Sequence, residues 1–264
     1  MSVGPNSTWA TNIGAAVVLV TNPDWIDGDD PAQYTVDGTL GAGKVHGTLT
    51  QYKVVKDTLV ILAPKNLSFE EAASMVACGG TAMHALEGGL GRGSLQGKTV
   101  LAMGTGGLAA ALGAHVIATS SSPTKLEVAK RLGATHLINY TTTPNWAEEV
   151  LRLTDGKGVD LVADVGGAGT LLQSLEAVRV GGTVSMIGFL TVSEKVDIVP
   201  GLVFGAKTLK GIRGNSKAML ERAIALIERN DLHPVISVYE WDEVKKAFGD
   251  LRRGNSVGKL VIKV

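Results

Sequence analysis

Three glycines follow a short apolar stretch near the middle of the chain. The stretch 99–103 is mostly apolar and runs into Gly104, Thr105, Gly106 and Gly107, after which an alanine-rich segment begins. A strand that passes through a glycine turn into a helix presents free backbone N–H groups, and such groups bind phosphate. The spacing therefore predicts a turn that holds the pyrophosphate of a dinucleotide.

A second group of polar residues closes the next apolar stretch, 115–119. Three hydroxyl side chains and a lysine one turn later make up this group: Ser120, Ser121, Ser122 and Lys125. An NAD site usually has a carboxylate here, which hydrogen-bonds the ribose 2′-OH. Hydroxyls and an ammonium group suit a 2′-phosphate instead, so the residues favour NADP, with NAD as the alternative. The serines could also simply cap the helix.

Other residues that could do chemistry lack supporting neighbours. Four aspartates lie in a polar stretch, but their spacing matches no calcium loop, so we interpret the stretch as a solvated loop: Asp24, Asp27, Asp29 and Asp30. Tyr52 and His84 are available as proton donors. A lone tyrosine or histidine is more often structural than catalytic, so we assign no catalytic residue.

Apolar strands and helices alternate from residue 98 to residue 212. The predicted strands cover 99–103, 115–119, 136–139, 159–165, 183–187 and 208–212. Strands separated by helices of about ten residues imply right-handed crossovers and a parallel sheet covered on both faces. The pattern predicts an α/β fold of the doubly wound, Rossmann type.

The segments on either side of this alternation are different in kind. A strand is predicted over 13–20, and 47–55 and 58–63 are predicted to pair as antiparallel strands. Ser68 and Glu71 form a capping box that starts a helix ending near Val76. We expect the last part of the chain to pack with the first part. The predicted domains are therefore 1–78 with 214–264, mainly β, and 79–213, which binds the dinucleotide.

Composition excludes several classes of protein. The 264 residues contain 25 Lys and Arg and 25 Asp and Glu, so no net field attracts nucleic acid or a membrane surface. The chain shows neither a basic leader nor an apolar stretch long enough to span a bilayer. A single cysteine, Cys78, fits a reducing compartment. We expect a soluble, cytoplasmic protein.

Taken together, the motifs resemble those of the medium-chain dehydrogenase/reductase superfamily, in its zinc-type alcohol dehydrogenase-like and quinone reductase-like branch. The matching segments are 67–73, 80–82, 104–107, 116–122, 132–134, 138–140, 164–167, 181–182, 187–188 and 258–262. The resemblance implies a GroES-like catalytic domain, a Rossmann domain, and NAD(P)H-dependent hydride transfer involving a small carbonyl, alcohol, quinone or enone.

The resemblance also implies roles for individual residues. Thr81, Gly166 and Gly188 would lie near the pyrophosphate or the nicotinamide, Tyr140 would lie near the adenosine ribose, and Asn215 would approach the cofactor. Relatives commonly form dimers through the last sheet strand, so the resemblance suggests a homodimer that pairs residues 208–212.

The chain departs from the family pattern in ways that bear on activity. Only 67 residues precede the capping-box helix, fewer than the family carries, so the catalytic domain is predicted to be truncated. Cys78 stands at a zinc-ligand position, but neither His46 nor His84 has a spacing that completes a site, so we expect no zinc. Eleven residues, 104–114, join the first two sheet strands, where a crossover normally needs about a dozen or more. The helix there must be a stub, which is predicted to leave part of the sheet exposed.

Two functions remain open at this point. The first is a zinc-independent, NADP(H)-dependent oxidoreductase that acts on a small molecule. The second is a catalytically inactive family member that binds nucleotide weakly or binds a protein partner.

Overall fold

The computed structural model describes residues 2–104, 107–191, 195–254 and 256–264. The chain divides into two compact units. The first consists of Met1–Thr81 and Gly214–Val264, and the second consists of Ala82–Arg213.

The first unit opens with two short strands, β1 (Val17–Leu19) and β2 (Val60–Leu62). They pair antiparallel, with Val18 opposite Ile61. The prediction that 47–55 forms a strand beside 58–63 is wrong, because β2 pairs with β1 and residues 47–55 adopt no strand. Val54 in this segment is fully exposed, so the alternating pattern has no core to pack on.

Helix α1 (Phe69–Leu90) is 22 residues long and passes the predicted end near Val76. The predicted capping box is present at its start, where Ser68 N–H donates to Glu71 and Glu71 N–H donates to Ser68 Oγ. Two glycines inside the helix allow close packing, since an added Cβ at Gly80 would lie 2.2 Å from the Asn215 side chain and one at Gly89 would lie 2.2 Å from Leu161.

Six parallel strands form the sheet of the second unit, in the order β5-β4-β3-β6-β7-β8. The strands are β3 (Thr99–Ala102), β4 (His115–Ser120), β5 (His136–Asn139), β6 (Val159–Asp164), β7 (Val178–Met186) and β8 (Thr208–Gly211). This order is that of the Rossmann fold, so the predicted fold class is confirmed.

Five helices accompany these strands in the described part of the unit. They are α2 (Gly107–Ala111), α3 (Pro123–Arg131), α4 (Trp146–Leu153), α5 (Ala168–Ala177) and α6 (Val199–Phe204). The core between sheet and helices contains Leu101, Ile117, Trp146, Val162 and Leu175, all at most 5% exposed. Helix α6 was not predicted from the sequence.

Helix α2 is a stub of five residues, as the crossover length predicts. The expected exposure of the sheet is not seen on the strands that it connects, since Val100, Leu101, Val116 and Ile117 are at most 1% exposed. The last part of α1 also packs on this sheet, where Ser185 Oγ on β7 donates to Ala85 O on α1.

The first unit resumes with α7 (Lys217–Arg229), β9 (Ile236–Tyr239), α8 (Val244–Arg253) and β10 (Lys259–Ile262). Strands β9 and β10 pair in parallel, and β9 was not predicted. The core of this unit joins β1 and β2 to α7, with Val18, Ile61 and Leu220 among its buried residues. Among the described residues, no helix combines the length and apolar character needed to cross a membrane.

Candidate functional site

The carboxyl edge of the parallel sheet gathers the predicted cofactor residues of the second unit. Gly104 follows β3, Ser120 ends β4, Tyr140 follows β5, Gly166 follows β6 and Gly188 follows β7. The chain runs from β3 outward to β5 and then returns to β6 on the other side of β3. Open α/β sheets bind ligands at such a switch point, so this edge is the candidate site.

The glycine turn after β3 is described in part, because Thr105 and Gly106 lie outside the described residues. Gly104 has φ +149°, and no atom of the described residues lies within 4 Å of a Cβ added there. Gly107 begins α2 and packs near Leu132, whose Cβ lies 3.4 Å from an added Cβ. The open space beside Gly104 leaves room for a ligand to approach the backbone closely.

At the end of β4, two serine hydroxyls each accept one backbone hydrogen bond. Ser122 caps α3, its Oγ accepting from Lys125 N–H at 3.4 Å, and Ser120 Oγ accepts from Ser122 N–H at 3.2 Å. Each hydroxyl keeps its proton, which it can donate to a phosphate or ribose oxygen. Ser121 is exposed and Lys125 is half-buried, and neither forms a hydrogen bond or ion pair through its side chain with a described residue.

Tyr140 lies beside this group because β4 and β5 are neighbours. Its backbone N–H donates to Ser120 O at 3.2 Å, and its side chain is 45% exposed. The structure therefore brings together four sequence-predicted residues of the adenosine side, Ser120, Ser122, Lys125 and Tyr140.

The two glycines predicted to lie near the pyrophosphate or the nicotinamide, Gly166 and Gly188, are enclosed by their own chain. A Cβ at Gly188 would lie 2.5 Å from Val165 O, and one at Gly166 would lie 2.5 Å from the Thr170 side chain. Packing between the segments after β6 and β7 thus requires Gly188, and packing of Thr170 against the turn after β6 requires Gly166. The two segments lie together at the edge.

Sequence reasoning missed the polar residues that join these segments. They are Asp164, Thr170, Ser174 and Thr191. A signal for two of them was present, because Thr170 and Ser174 are four residues apart and so share one face of a helix that begins after the Asp164 strand.

Thr81 and Asn215 belong to the first unit. Asn215 is 2% exposed and packs against Gly80, and its Nδ2 donates to Ser216 O. Its Oδ1 is buried and has no hydrogen-bond partner among the described residues. Thr81 is half-buried on α1.

The remaining reactive side chains do not form a cluster. Within the described ranges, no group of three or more His, Cys, Asp or Glu residues could hold a metal ion. Cys78 is half-buried. His84 is 1% exposed inside α1, and Tyr52 is 86% exposed. The four aspartates of the acidic loop are all exposed.

Comparison with known proteins identifies the family. The family model described as zinc-binding dehydrogenase matches residues 101–229. A zinc-type alcohol dehydrogenase-like protein of Schizosaccharomyces pombe is 37% identical over 95% of this chain and 75% of its own length. The chain belongs to the medium-chain dehydrogenase/reductase superfamily.

Two further members of this superfamily extend the comparison. The 2-methylene-furan-3-one reductase of Solanum lycopersicum is 32% identical over 89% of this chain and 58% of its own length. The crystal structure of an NAD-dependent alcohol dehydrogenase is 31% identical, with a TM-score of 0.82, over 95% of this chain and 76% of that one. The chain is an alcohol dehydrogenase-like oxidoreductase, and members of its family use NAD or NADP.

Proposed function

We propose that this chain is a zinc-independent, NADP(H)-dependent oxidoreductase. It transfers hydride between the nicotinamide and a small carbonyl, alcohol, quinone or enone. The observation that carries the proposal is the carboxyl edge of the sheet, where residues after five neighbouring strands lie together and the β4 end has hydroxyls and an ammonium group but no acid.

The donor set at this edge fits the dinucleotide. Ser120, Ser121, Ser122 and Lys125 would hold the 2′-phosphate, since three hydroxyl donors and one cation complement its charge. Gly104 to Gly107 would face the pyrophosphate. When bound, the cofactor supplies or accepts the hydride, and the protein orients it and the substrate.

Zinc independence is supported by the donor set. A catalytic zinc site uses three protein ligands, and the described residues contain no suitable group of three. Cys78 has no partners of this kind in the described part of the chain.

The two units would divide the work as the family does. We assign residues 79–213 to the nucleotide-binding domain, and residues 1–78 with 214–264 to a GroES-like catalytic domain. Thr81 and Asn215 are further proposed cofactor residues. The unpartnered Asn215 Oδ1 supports this role, because a buried acceptor without a donor is costly and a ligand donor would satisfy it.

A homodimer through β8 is also part of the proposal. Strand β8 is the last strand in the sheet order, so its outer edge pairs with no other strand among the described residues. An unpaired edge can pair with a second copy. Light scattering tests this assembly, and a monomer at micromolar concentration would remove it.

The alternative is a catalytically inactive family member that binds nucleotide weakly or binds a protein partner. The five-residue α2 favours this alternative, because a short helix gives the turn before it little support. An inactive chain that binds nucleotide weakly would also give a thermal shift, so turnover is needed to separate the two functions.

The experiment combines thermal shift with turnover. We expect NADPH to raise the unfolding temperature, and we expect NADPH consumption with at least one member of a panel of aldehydes, quinones and enones. Lys125→Gln should weaken NADPH binding by about tenfold and leave NADH binding nearly unchanged. Lys130→Gln, on an exposed position of the same helix, is the matched control. No shift and no turnover would favour the inactive alternative.

A further inference from the structure

A carboxylate lies completely buried beside the candidate site. Asp164, the last residue of β6, is 0% exposed. Its Oδ1 accepts from the backbone N–H groups of Gly166 at 2.8 Å and Gly167 at 3.2 Å. The hydroxyls of Thr170 and Ser174 on α5 donate to its two oxygens at 2.6–2.9 Å. The side chain thus ties the turn after β6 to the first two turns of α5.

The same turn is tied to the segment that follows β7. The backbone oxygen of Asp164 accepts from Ile187 N–H at 2.7 Å and from Gly188 N–H at 3.4 Å. Thr191 N–H and Thr191 Oγ1 each donate to Gly166 O at 2.9 Å. The two segments therefore form one hydrogen-bonded unit, which we term the β6–β7 clamp, made of residues 164–170, Ser174 and residues 187–191.

Burial of a charge is costly unless every lone pair is satisfied. All donors to the Asp164 carboxylate are neutral backbone or hydroxyl groups, and no Lys, Arg or His among the described residues forms an ion pair with it. A hydrophobic side chain would avoid this cost. It would also leave the N–H groups of Gly166 and Gly167 without an acceptor, so the carboxylate contributes a fixed turn geometry.

We propose that Asp164 is a positioning residue for the nicotinamide half of the cofactor. By holding the β6–β7 clamp in one geometry, it fixes the backbone at Gly166 and Gly188. Thr191 completes the clamp from the second segment. The inference rests on the proposed function and adds that the nicotinamide side, unlike the adenosine side, depends on this buried network.

Calorimetric titration with two probes tests the inference. NADPH contains both halves of the cofactor, whereas adenosine 2′,5′-bisphosphate contains only the adenosine half with its 2′-phosphate. We expect Asp164→Ala to weaken NADPH binding by about tenfold and to change bisphosphate binding by less than about twofold. Asp164→Asn keeps an acceptor oxygen for the glycine N–H groups, so its loss should be smaller than that of the alanine variant.

Two more variants keep the test decisive. Thr191→Val removes one exposed hydroxyl from the clamp, so it is expected to fold even where Asp164→Ala does not, and it should also weaken only NADPH. Thr154→Val is the control. The Thr154 hydroxyl donates to Val150 O and accepts from Gly158 N–H, and it precedes β6, so it lies at the other end of that strand from the clamp. This control should affect neither probe.

The outcomes separate the inference from the proposed function. Unchanged NADPH affinity in a folded clamp variant, equal weakening of both probes, or an asparagine variant as weak as the alanine variant would overturn the positioning role. A wild-type chain that binds the bisphosphate but not NADPH would overturn it as well. A wild-type chain that binds neither probe would overturn the proposed function, and the inference with it.

Discussion

Two strand–turn–helix regions lie side by side at the carboxyl edge of the sheet, and they differ in how they are built. After β3, the turn at Gly104 leads into a helix of five residues. After β6, the turn at Gly166 and Gly167 leads into a helix of ten residues, α5, and a buried carboxylate joins turn and helix. The first region carries the recognisable glycine motif, and the second carries the dense hydrogen-bond network.

The glycine motif of a turn and the structure that supports the turn are therefore separate properties. The glycine spacing after β3 specifies a backbone that a phosphate can approach. It does not specify the length of the helix behind the turn. The region after β6 has a less distinctive sequence, yet its polar side chains fix the backbone in one geometry. We therefore expect substitutions after β6 to cost more than matched substitutions after β3.

The largest effect is expected for matched leucines. Leu175 on α5 is 3% exposed in the core, and Leu108 on α2 is 8% exposed. Leu175→Ala should lower the free energy of unfolding by about 3 kcal/mol and Leu108→Ala by about 2 kcal/mol, because a short helix can relax toward the vacated space. Urea unfolding measures both. An equal or larger loss for Leu108→Ala would contradict the expectation that substitutions after β6 cost more.

A second pair tests the turns themselves. Gly167 has φ +94°, and an added Cβ would lie 2.9 Å from Phe189 Cα, whereas Gly104 has φ +149° and open space. Gly167→Ala should cost about 2–3 kcal/mol, from backbone strain and the contact together, and Gly104→Ala about 1 kcal/mol from strain alone. Thermal unfolding measures the loss of stability in both variants. A larger loss for Gly104→Ala than for Gly167→Ala would contradict this expectation.

The smallest effect is expected for a carboxylate at the amino-terminal edge of the sheet, where it joins β6 to β3. Asp160 on β6 accepts from Thr99 N–H on β3 and from Arg179 on β7. Burial opposes ionisation, yet these hydrogen bonds and the charges of Lys98 and Arg179 hold the pKa of Asp160 below its ordinary value of 3.8.

Because the pKa of Asp160 is lowered in the folded state, its contribution to the free energy of unfolding depends on pH. The stabilisation is present above pH 3.8 and is lost as the pH falls through the folded-state pKa. We expect the wild type to lose roughly 1 kcal/mol more than Asp160→Asn on acidification. Glu148→Gln, which removes an exposed carboxylate, is the control. Parallel stability curves for the wild type and Asp160→Asn would contradict this role.

The parallel sheet could be predicted because its strands are apolar throughout and alternate with helices, a pattern that few other folds produce. The predicted limits of β5 agree with those observed. Local signals failed where tertiary contacts decide. Helix α1 continues past its predicted end near Val76, and its glycines allow the close approach of Asn215 and Leu161. The alternation over 47–55 has no partner strand.

The candidate site was also predictable only in part. The residues after each strand could be predicted, because the carboxyl ends of parallel strands share an edge. The β6–β7 clamp could not, because Thr191 reaches Gly166 across 25 positions in the sequence and no local pattern records that contact.

The proposed function depends on recognition of the 2′-phosphate by the acid-free end of β4 at the carboxyl edge. Calorimetric titration of the wild-type chain with NADPH and NADH tests this recognition. We expect NADPH to bind at least about tenfold more tightly, because the hydroxyls after β4 and Lys125 then gain a charged partner. NADH binding that is equal or tighter would contradict it.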